Sequence, residues 1–450
     1  MKRQSIDGSI FKEFNYCTTP PSTRWLIIVI VLMVIIGVGL YTFILQGVKG
    51  HVITGMRDYV VWGVYITNFI YFLGISYACA MISCFFHLTR IQWGKSLMRI
   101  LELIAFITII IAPVYILLCI GRIDRLHFLA FHGRIQSPII WDVIAIVTDI
   151  IFCMVYLFLS YVKDFARLRD YTAKLDIADW KKKLYRKLAL GYAFEHEQEK
   201  RLSSAMDIMA AIIIPTSIVA YSLLAWLFGM NLRPGWHSSI FGPQFILNAV
   251  YSGVAIIIII MWFYRRILKL EKYITDNHFY FLGYGLLILT LFFGYFVFSD
   301  FITNWYNTQK TTSILLQKLL DNSQYGIMYK GSLFITLFLT IVVIGIPQLR
   351  TVNSIFLVSV LVMLALWINR YLMIVPVLET TYIPISDPRP EYIKYDPTIV
   401  EWILTVTGLA VFMLFLMIMT KLAPVIPVSA LEEKSTFKLF GKFSFKDHSK

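Results

Sequence analysis

Seven ionisable side chains lie within or at the ends of long apolar stretches of this 450-residue sequence. They are Glu102, Asp142, Asp149, Asp207, Asp300, Arg370 and His87. A charge in an apolar medium is energetically costly, so each position is a candidate for proton transfer or for an ion pair that a function requires. For any one of them alone, a helix cap or a structural ion pair explains the charge equally well, because side chains near helix ends can reach water.

Asp142 is the most informative of these residues because it opens the apolar stretch SPIIWDVIAIVTDIIF. The loop before it carries Arg122, Asp124, Arg125, His127, His132 and Arg134. The dipole and free N–H groups of a helix N-terminus stabilise a carboxylate there, which is a purely structural explanation. A carboxylate beside imidazole and guanidinium groups also suits quinol oxidation, which releases two protons and needs an acceptor for each hydroxyl group.

Asp149 follows Asp142 in the same apolar stretch. Seven residues correspond to about two helical turns, so Asp149 is expected deeper in the membrane on nearly the same helix face. A continuing proton path and a structural pair with a neighbouring helix are equally good explanations of this second carboxylate.

The sequence gives no sign of a bound redox centre. The histidines are His51, His87, His127, His132, His196, His237, His278 and His448, and none lies deep in an apolar stretch, as the ligands of a b-type haem would. The five cysteines show no CxxC, CxxCH or zinc spacing, and no phosphate-binding loop or dinucleotide-binding glycine pattern occurs. We therefore expect no metal, haem or iron–sulfur cluster on this chain, so that electrons would have to pass to a partner subunit.

The composition identifies the medium around these residues. The chain is 58% hydrophobic and only 15% charged, and its repeated long apolar runs require a lipid bilayer. The net charge of +14 would suit a nucleic-acid partner, or it reflects the lysines and arginines that orient membrane proteins. Because the basic residues lie between the apolar runs, we favour the second explanation and expect no nucleic-acid partner.

Ten membrane-spanning helices are expected, since one span needs about 20 apolar residues. The runs cover roughly residues 25–45, 60–88, 98–121, 138–162, 205–229, 244–268, 279–304, 331–348, 352–376 and 399–422. An even number places both termini on one side. Most of the 41 lysines and arginines lie in the tails and loops of that side, which predicts cytoplasmic N- and C-termini.

The segments between the spans add two expectations. The charged connector 163–204 is predicted to contain a helix that lies on the cytoplasmic membrane surface. The proline-rich string DPRPEYIKYDP before the last span is predicted to be an extended loop on the other side. The fold class is therefore an all-α, multi-pass protein of the inner (cytoplasmic) membrane.

Several strings, spread in order over most of the chain, resemble one protein family. They are WGVYITNFIYFLGISYACAMIS, SLMRILELIAF, the pair Gly121–Arg122 with SPIIWDV, KDFARLRD followed by LALGY, PGWHSSIFGPQFILNAVYSG, DFITNWY and INRYLMIVP. Each string alone is weakly specific, and PGWHSSIFGPQFILNAVYSG is the most specific. Together they resemble the NrfD/PsrC-like (polysulfide reductase) membrane subunits, and in particular the quinol-interacting membrane subunit of bacterial alternative complex III.

This resemblance implies an architecture and a function. It implies ten helices, eight of them in two four-helix bundles. It implies a quinol or quinone, with menaquinone favoured, bound near the non-cytoplasmic face. Electrons would be exchanged with an extracytoplasmic iron–sulfur subunit related to molybdopterin oxidoreductases, beside c-type cytochrome subunits and a paralogous membrane subunit. Proton translocation through bundle carboxylates has been proposed for some members of the family.

The resemblance also divides the chain and assigns roles to residues. It gives a tail and first helix at residues 1–57 and a first bundle at 58–230, which includes the connector 163–204. A second bundle follows at 231–378, and a rim loop, the last helix and a basic tail at 379–450. The catalytic candidates are Asp142, Arg122, His127 and Cys119. The candidate quinone-binding residues are Asp142, Arg122, His127, His132 and Trp141, and the candidate proton path comprises Glu102, Asp149, Asp300, Arg370 and Tyr221.

The sequence departs from the family pattern at four of its functional positions. Cys119 stands where the family usually has a histidine three residues before an arginine, and a thiol is a poor proton acceptor at neutral pH. Tyr221 and Leu227 stand where the fifth span often has a histidine and an aspartate, and Asp300 where the family usually has glutamate. His127 and His132 are the residues that could supply the missing imidazole.

Three functional hypotheses follow. The first is a membrane subunit of a respiratory oxidoreductase that binds quinol and exchanges electrons with a partner, with possible coupling to proton translocation. The second is a quinone-free paralogue that serves as a scaffold or proton path in the same complex. The third, a secondary transporter, draws weak support from Pro113 and Pro215 inside the third and fifth spans.

Overall fold

The computed structural model describes residues 15–121, 123–173, 178–307, 309–383, 389 and 393–427. Within these residues the chain is helical and contains no strand. Ten helices are long and apolar enough to cross a membrane, which confirms the expected all-α membrane fold. They are α1 (Thr23–Lys49), α2 (Gly63–Thr89), α3 (Lys95–Ile120), α4 (Pro138–Thr172), α5 (His196–Gly229), α6 (Phe241–Ile267), α7 (Asp276–Tyr306), α8 (Gly326–Gly345), α9 (Val352–Leu378) and α10 (Ile399–Leu422).

Helix starts follow from local sequence signals. Ser137 is extended and precedes Pro138, whose fixed φ and missing N–H suit the first turn of α4. At α10, Thr398 and Glu401 form a capping box in which each side chain bonds the backbone N–H of the other residue. The carboxylate of Glu401, whose burial in the membrane interior would cost free energy, thus caps the start of a helix.

The ten helices pack as two groups of four with two flanking helices. Helices α2 to α5 contact one another in one group and α6 to α9 in a second, and one continuous hydrophobic core runs through both. The two bundles meet mainly where α2 lies against α6 and α9, which makes α2 the most buried span. Helix α10 packs on α1 and α3, outside the first bundle. The arrangement agrees with the expected two four-helix bundles.

Helices α4 and α5 are longer than their apolar runs. α4 continues to Thr172 and α5 begins at His196, so both ends of the connector predicted at 163–204 are helical extensions of the two spans. The expected surface helix is Asp179–Leu188, and its Tyr185 is fully buried and donates a hydrogen bond to the carbonyl oxygen of Leu422, 3.1 Å away.

The antiparallel order of the spans defines two faces. We call the end where α1 begins and α10 ends the terminal face, and the other end the far face. The terminal face is the one predicted to be cytoplasmic. Two short helices lie at the far face, Leu126–Phe131 between α3 and α4 and Lys310–Leu320 between α7 and α8.

Candidate functional site

The carboxylates of Asp142 and Asp149 face the interior of the first bundle from α4. Their side chains are almost completely buried, with exposed fractions of 6% and 2%. Oδ1 of Asp142 and Oδ2 of Asp149 accept no hydrogen bond from any described residue. Buried polar atoms are nearly always hydrogen-bonded, so two unpartnered carboxylate oxygens on one helix face make this place a candidate site for a proton or a polar ligand.

Tyr77 on α2 completes this far-side cluster. Its side chain is buried next to Asp149, and its hydroxyl group makes no hydrogen bond of normal geometry with the described residues. The ring packs edge-on against Tyr221 at a centroid distance of 5.6 Å. Helices α2 and α4 thus bring two carboxylates and one phenol together, a combination of possible proton donors and acceptors.

The other candidates near Asp142 lie at or outside the edge of this cluster. Arg122 lies outside the described residues. His127 and His132 are exposed, and Nδ1 of His127 lies 2.9 Å from the carbonyl oxygen of Asp124. Among the described residues, neither histidine forms a hydrogen bond or ion pair with Asp142. Both rings contact Phe128 in the short helix Leu126–Phe131.

Trp141 and Cys119 are half-buried and bonded to backbone. The indole N–H of Trp141 donates to the carbonyl oxygen of Ile135 at 2.5 Å. The thiol of Cys119, near the end of α3, lies 3.7 Å from the carbonyl oxygen of Trp62. The structure therefore gathers Asp142 and Asp149 in the bundle interior but leaves the expected imidazoles at the surface of the far face.

A second charged cluster lies at the terminal end of the same bundle. Glu102 is buried and accepts hydrogen bonds from Ser160 at 2.6 Å and Ser83 at 3.3 Å. Arg99 pairs with Glu102 at 3.3 Å and with Asp164 at 2.5 Å. The carboxylates are hydrogen-bonded, in contrast to those of the far-side cluster, so this arrangement is a satisfied ion network.

Small polar groups lie between the two clusters. Cys153 lies one helical turn beyond Asp149 and interacts with it, and Cys84 interacts with both Cys153 and Tyr156. Tyr156 in turn lies beside Ser83 and Glu102. These groups form a polar series through the first bundle from the far-side cluster to Glu102, although the hydroxyl group of Tyr156 makes no hydrogen bond with the described residues.

Arg370 occupies a separate position where α9 meets α6 and α2. It is 1% exposed, donates to the carbonyl oxygen of Asn248 at 3.1 Å and to the hydroxyl of Ser252 at 3.3 Å, and lies over the ring of Tyr71. Among the described residues it forms no ion pair. Tyr221 lies beside the guanidinium and donates to the carbonyl oxygen of Ile70 at 3.2 Å.

Asp300 lies apart from both groups, near the end of α7. It is half-buried, lies near Ser238 and Asn304, and lines a cavity of about 110 Å³ with Trp236 and Tyr329. The structure thus divides the candidate proton path. Glu102 and Asp149 lie in the first bundle, Arg370 and Tyr221 between the bundles, and Asp300 in the second bundle.

Sequence reasoning missed Asp164 and Tyr77. Asp164 falls in the charged connector, and only the extension of α4 places it inside the bundle beside Arg99. Tyr77 has no charge to distinguish it among the many tyrosines of the chain. Across the described ranges no three His, Cys, Asp or Glu side chains are grouped so as to hold a metal ion.

Comparison with known proteins identifies relatives along most of the chain. The family model described as "Polysulphide reductase, NrfD" matches residues 52–381. Three relatives are similar to the chain. A putative dimethyl sulfoxide reductase membrane subunit of Halobacterium salinarum is 28% identical over 236 residues, which cover 52% of this chain and 49% of the relative. The chain thus spans about half the length of that relative.

The other two relatives align over nearly their whole length. A selenate reductase subunit of Mesobacillus selenatarsenatis is 22% identical over 412 residues, 87% of this chain and 92% of the relative. The Hdr-like menaquinol oxidoreductase integral membrane subunit of Archaeoglobus fulgidus is 21% identical over 426 residues, 92% of this chain and 96% of the relative.

Proposed function

The chain belongs to the NrfD family of polysulphide reductase membrane proteins, and from that membership we propose that it is a quinol-binding membrane subunit of a respiratory oxidoreductase. It is a multi-pass integral membrane protein and, like its relatives, a membrane subunit of a reductase or menaquinol oxidoreductase complex. We propose that the quinol ring binds beside Asp142 at the far face of the first bundle. One observation carries this proposal: the buried Oδ1 of Asp142 has no hydrogen-bond partner among the described residues.

The residues of the far-side cluster fit a quinol. A bound quinol supplies two electrons and two protons to the reaction. Asp142 offers an unpartnered acceptor for one hydroxyl group, and Asp149 lies behind it as a second acceptor. Both carboxylates are buried on a helix that contributes Ile146 to the hydrophobic core, an apolar setting that suits the aromatic ring of the ligand.

The fate of the protons follows from the same geometry. In this proposal, a proton taken up by Asp142 passes on to Asp149, which is buried about two helical turns farther along the same face of α4. Beyond Asp149, the polar series through Cys153 and Tyr156 leads to Glu102. The hydroxyl group of Tyr77 on α2 lies beside Asp149, near the start of this series. We propose this series, without Arg370 and Asp300, as the proton path of the first bundle.

In this proposal, electrons are exchanged between the quinol and a partner subunit. The cysteine spacing offers no haem or iron–sulfur site, so an extracytoplasmic iron–sulfur subunit is the acceptor or donor. One relative is a menaquinol oxidoreductase subunit, which favours menaquinone as the ligand. We also propose that the chain lies in the cytoplasmic membrane with both termini in the cytoplasm. The complex to which it belongs would resemble alternative complex III.

A quinone-free scaffold or proton path remains the second candidate. Its specific support is that Cys119 replaces the expected histidine and that His127 and His132 lie at the surface. Family membership removes the ground for the transporter hypothesis.

Quinol-dependent electron transfer by the purified complex distinguishes the two candidates. Asp142→Asn is expected to reduce the rate about one hundredfold, or about 2.7 kcal/mol of barrier, at matched subunit assembly. Asp170→Asn removes the same charge from an exposed site on the same helix and should leave the rate unchanged. Quinone-analogue binding is measured in parallel. An unchanged rate and unchanged analogue binding in Asp142→Asn would mean that the quinol binds another subunit and that this chain is the scaffold.

A further inference from the structure

A cavity with aromatic walls lies at the far face of the second bundle. Its volume is about 510 Å³. Its walls come from the short helix Lys310–Leu320, the start of α8, the last three turns of α9, and the start of α10 with the loop before it. Five of the side chains that line it are aromatic, namely Tyr325, Trp367, Tyr371, Tyr395 and Trp402. This size and lining are typical of a site for a small organic ligand, and none of the described lining residues belongs to the first bundle.

Three of the aromatic rings form one wall of the cavity. Trp367 stacks with Tyr371 at a centroid distance of 6.0 Å and lies 5.9 Å from the ring of Trp402. The indole N–H of Trp367 donates to Oδ1 of Asn68 on α2 at 2.8 Å, so contact between the two bundles fixes the orientation of this ring. Trp402 is 44% exposed, so the wall continues to the outer surface of α10. A flat apolar ligand that arrives from the bilayer therefore meets a stacking surface that is already in place.

The charged side chains that line the cavity are paired with one another. Lys318 lies 3.9 Å from the carboxylate of Glu379, and Lys394 lies 3.3 Å from that of Asp396. Acids and bases are thus equal in number, which favours an uncharged ligand. Lys318 keeps the capacity to donate, because an ammonium group has three N–H donors. With the described residues it makes one hydrogen bond, to the carbonyl oxygen of Glu379 at 3.3 Å.

We propose that this cavity is a second binding site for the ring of a quinone or quinol, separate from the site beside Asp142. A quinone ring is flat and uncharged, its faces are apolar, and it carries an oxygen at each end. The wall formed by Trp367 and Tyr371 suits the faces of the ring, and the ammonium group of Lys318 suits one of its oxygens. The isoprenoid tail leaves the cavity past Trp402. The choice of a quinone as ligand rests on the proposed function, whereas the aromatic wall and the paired charges do not depend on Asp142.

Photolabelling of the purified complex with a photoreactive 1,4-naphthoquinone tests this proposal. Labelled peptides are identified by mass spectrometry in the wild type and in Asp142→Asn. We expect label on residues 325–328 or on Trp402, undiminished in Asp142→Asn, and its displacement by excess unlabelled naphthoquinone. Absence of label from these residues would overturn the proposal. Displacement by phosphatidylglycerol but not by naphthoquinone would identify a lipid as the occupant and would also overturn it. The quinol-dependent rate of Asp142→Asn tests the proposed function separately.

The variant Met328→Trp places a bulky ring at the cavity wall and should reduce the labelling of Trp402 about tenfold, since overpacking a filled site costs about 1–3 kcal/mol. Met154→Trp is the matched control, because Met154 is also 50% exposed but lies on α4, outside the cavity. Its labelling should equal that of the wild type. Equal labelling of Trp402 in Met328→Trp and the wild type would overturn the proposal. If Met328→Trp does not fold, the position of the label in the wild type still decides the question.

Discussion

Replacing Arg99 by glutamine should destabilise the first bundle strongly. Arg99 is 2% exposed and pairs with Asp164 and Glu102, and it also donates to the carbonyl oxygen of Ser160 at 2.7 Å. Glutamine removes the positive charge while both carboxylates stay buried. Because an uncompensated buried charge costs about 3–5 kcal/mol, we expect Arg99→Gln to lower the unfolding free energy by that amount.

The measurement is unfolding in mixed detergent micelles at increasing fractions of denaturing detergent. Arg186→Gln serves as the matched control, since Arg186 is an exposed arginine on the same face and its loss should cost less than about 0.5 kcal/mol. A triple variant, Arg99→Met with Glu102→Leu and Asp164→Leu, removes all three charges together and should recover most of the lost stability.

Two results would refute this reasoning. A cost below about 1 kcal/mol for Arg99→Gln would mean that water or protonation relieves the carboxylates. A triple variant as unstable as the single variant would mean that the shape of the cluster, and not its charge balance, stabilises the bundle.

Two further predictions test other parts of the fold. Burial raises the pKa of Glu379 above its usual value, although Tyr325 donates to the carboxyl at 2.8 Å. The contribution of Glu379 to stability is therefore complete below the unfolded-state pKa of about 4.3 and is lost as pH rises through the higher folded-state pKa. The melting temperature of the wild type should fall relative to that of Glu379→Gln over this pH range. Parallel plots of melting temperature against pH for the two proteins would contradict the raised pKa of Glu379. Gly253→Ala would place a Cβ 2.5 Å from that of Ala78 on α2, where the bundles meet, and should cost about 1–3 kcal/mol of unfolding free energy. Gly285→Ala, with nothing within 4 Å, should be nearly neutral, and equal costs at the two positions would contradict close packing.

The membrane spans were predictable because hydropathy acts locally. A run of about 20 apolar residues must cross the bilayer as a helix, since lipid offers no other partner for its backbone. The lengths of α4 and α5 were not predictable in this way. Their last and first turns are charged, so a hydropathy criterion ends the span at about residue 162 while the helix continues to Thr172.

The candidate site was predictable in part. The rarity of charge in apolar segments was enough to single out Asp142, Asp149 and Glu102, and helical periodicity placed the two aspartates on one face. The same reasoning grouped His127 and His132 with Asp142 because the residues are close in sequence. The structure instead places these imidazoles on the surface of the short helix Leu126–Phe131, since proximity along a loop does not determine which way its side chains face.

The sequence alone determined the medium and the number of spans and singled out the candidate residues, because these depend on composition and on energies that each residue meets wherever it lies in the bilayer. Tertiary structure decided which charges are satisfied. Glu102 and Asp142 are both buried acids on apolar helices, yet packing of α3 against α4 gives Glu102 a hydrogen bond from Ser160, in addition to its pair with Arg99 one turn away on α3, while Asp142 keeps an unpartnered oxygen. Partners on different helices are fixed by the way the helices pack, and sequence spacing within one helix does not encode them.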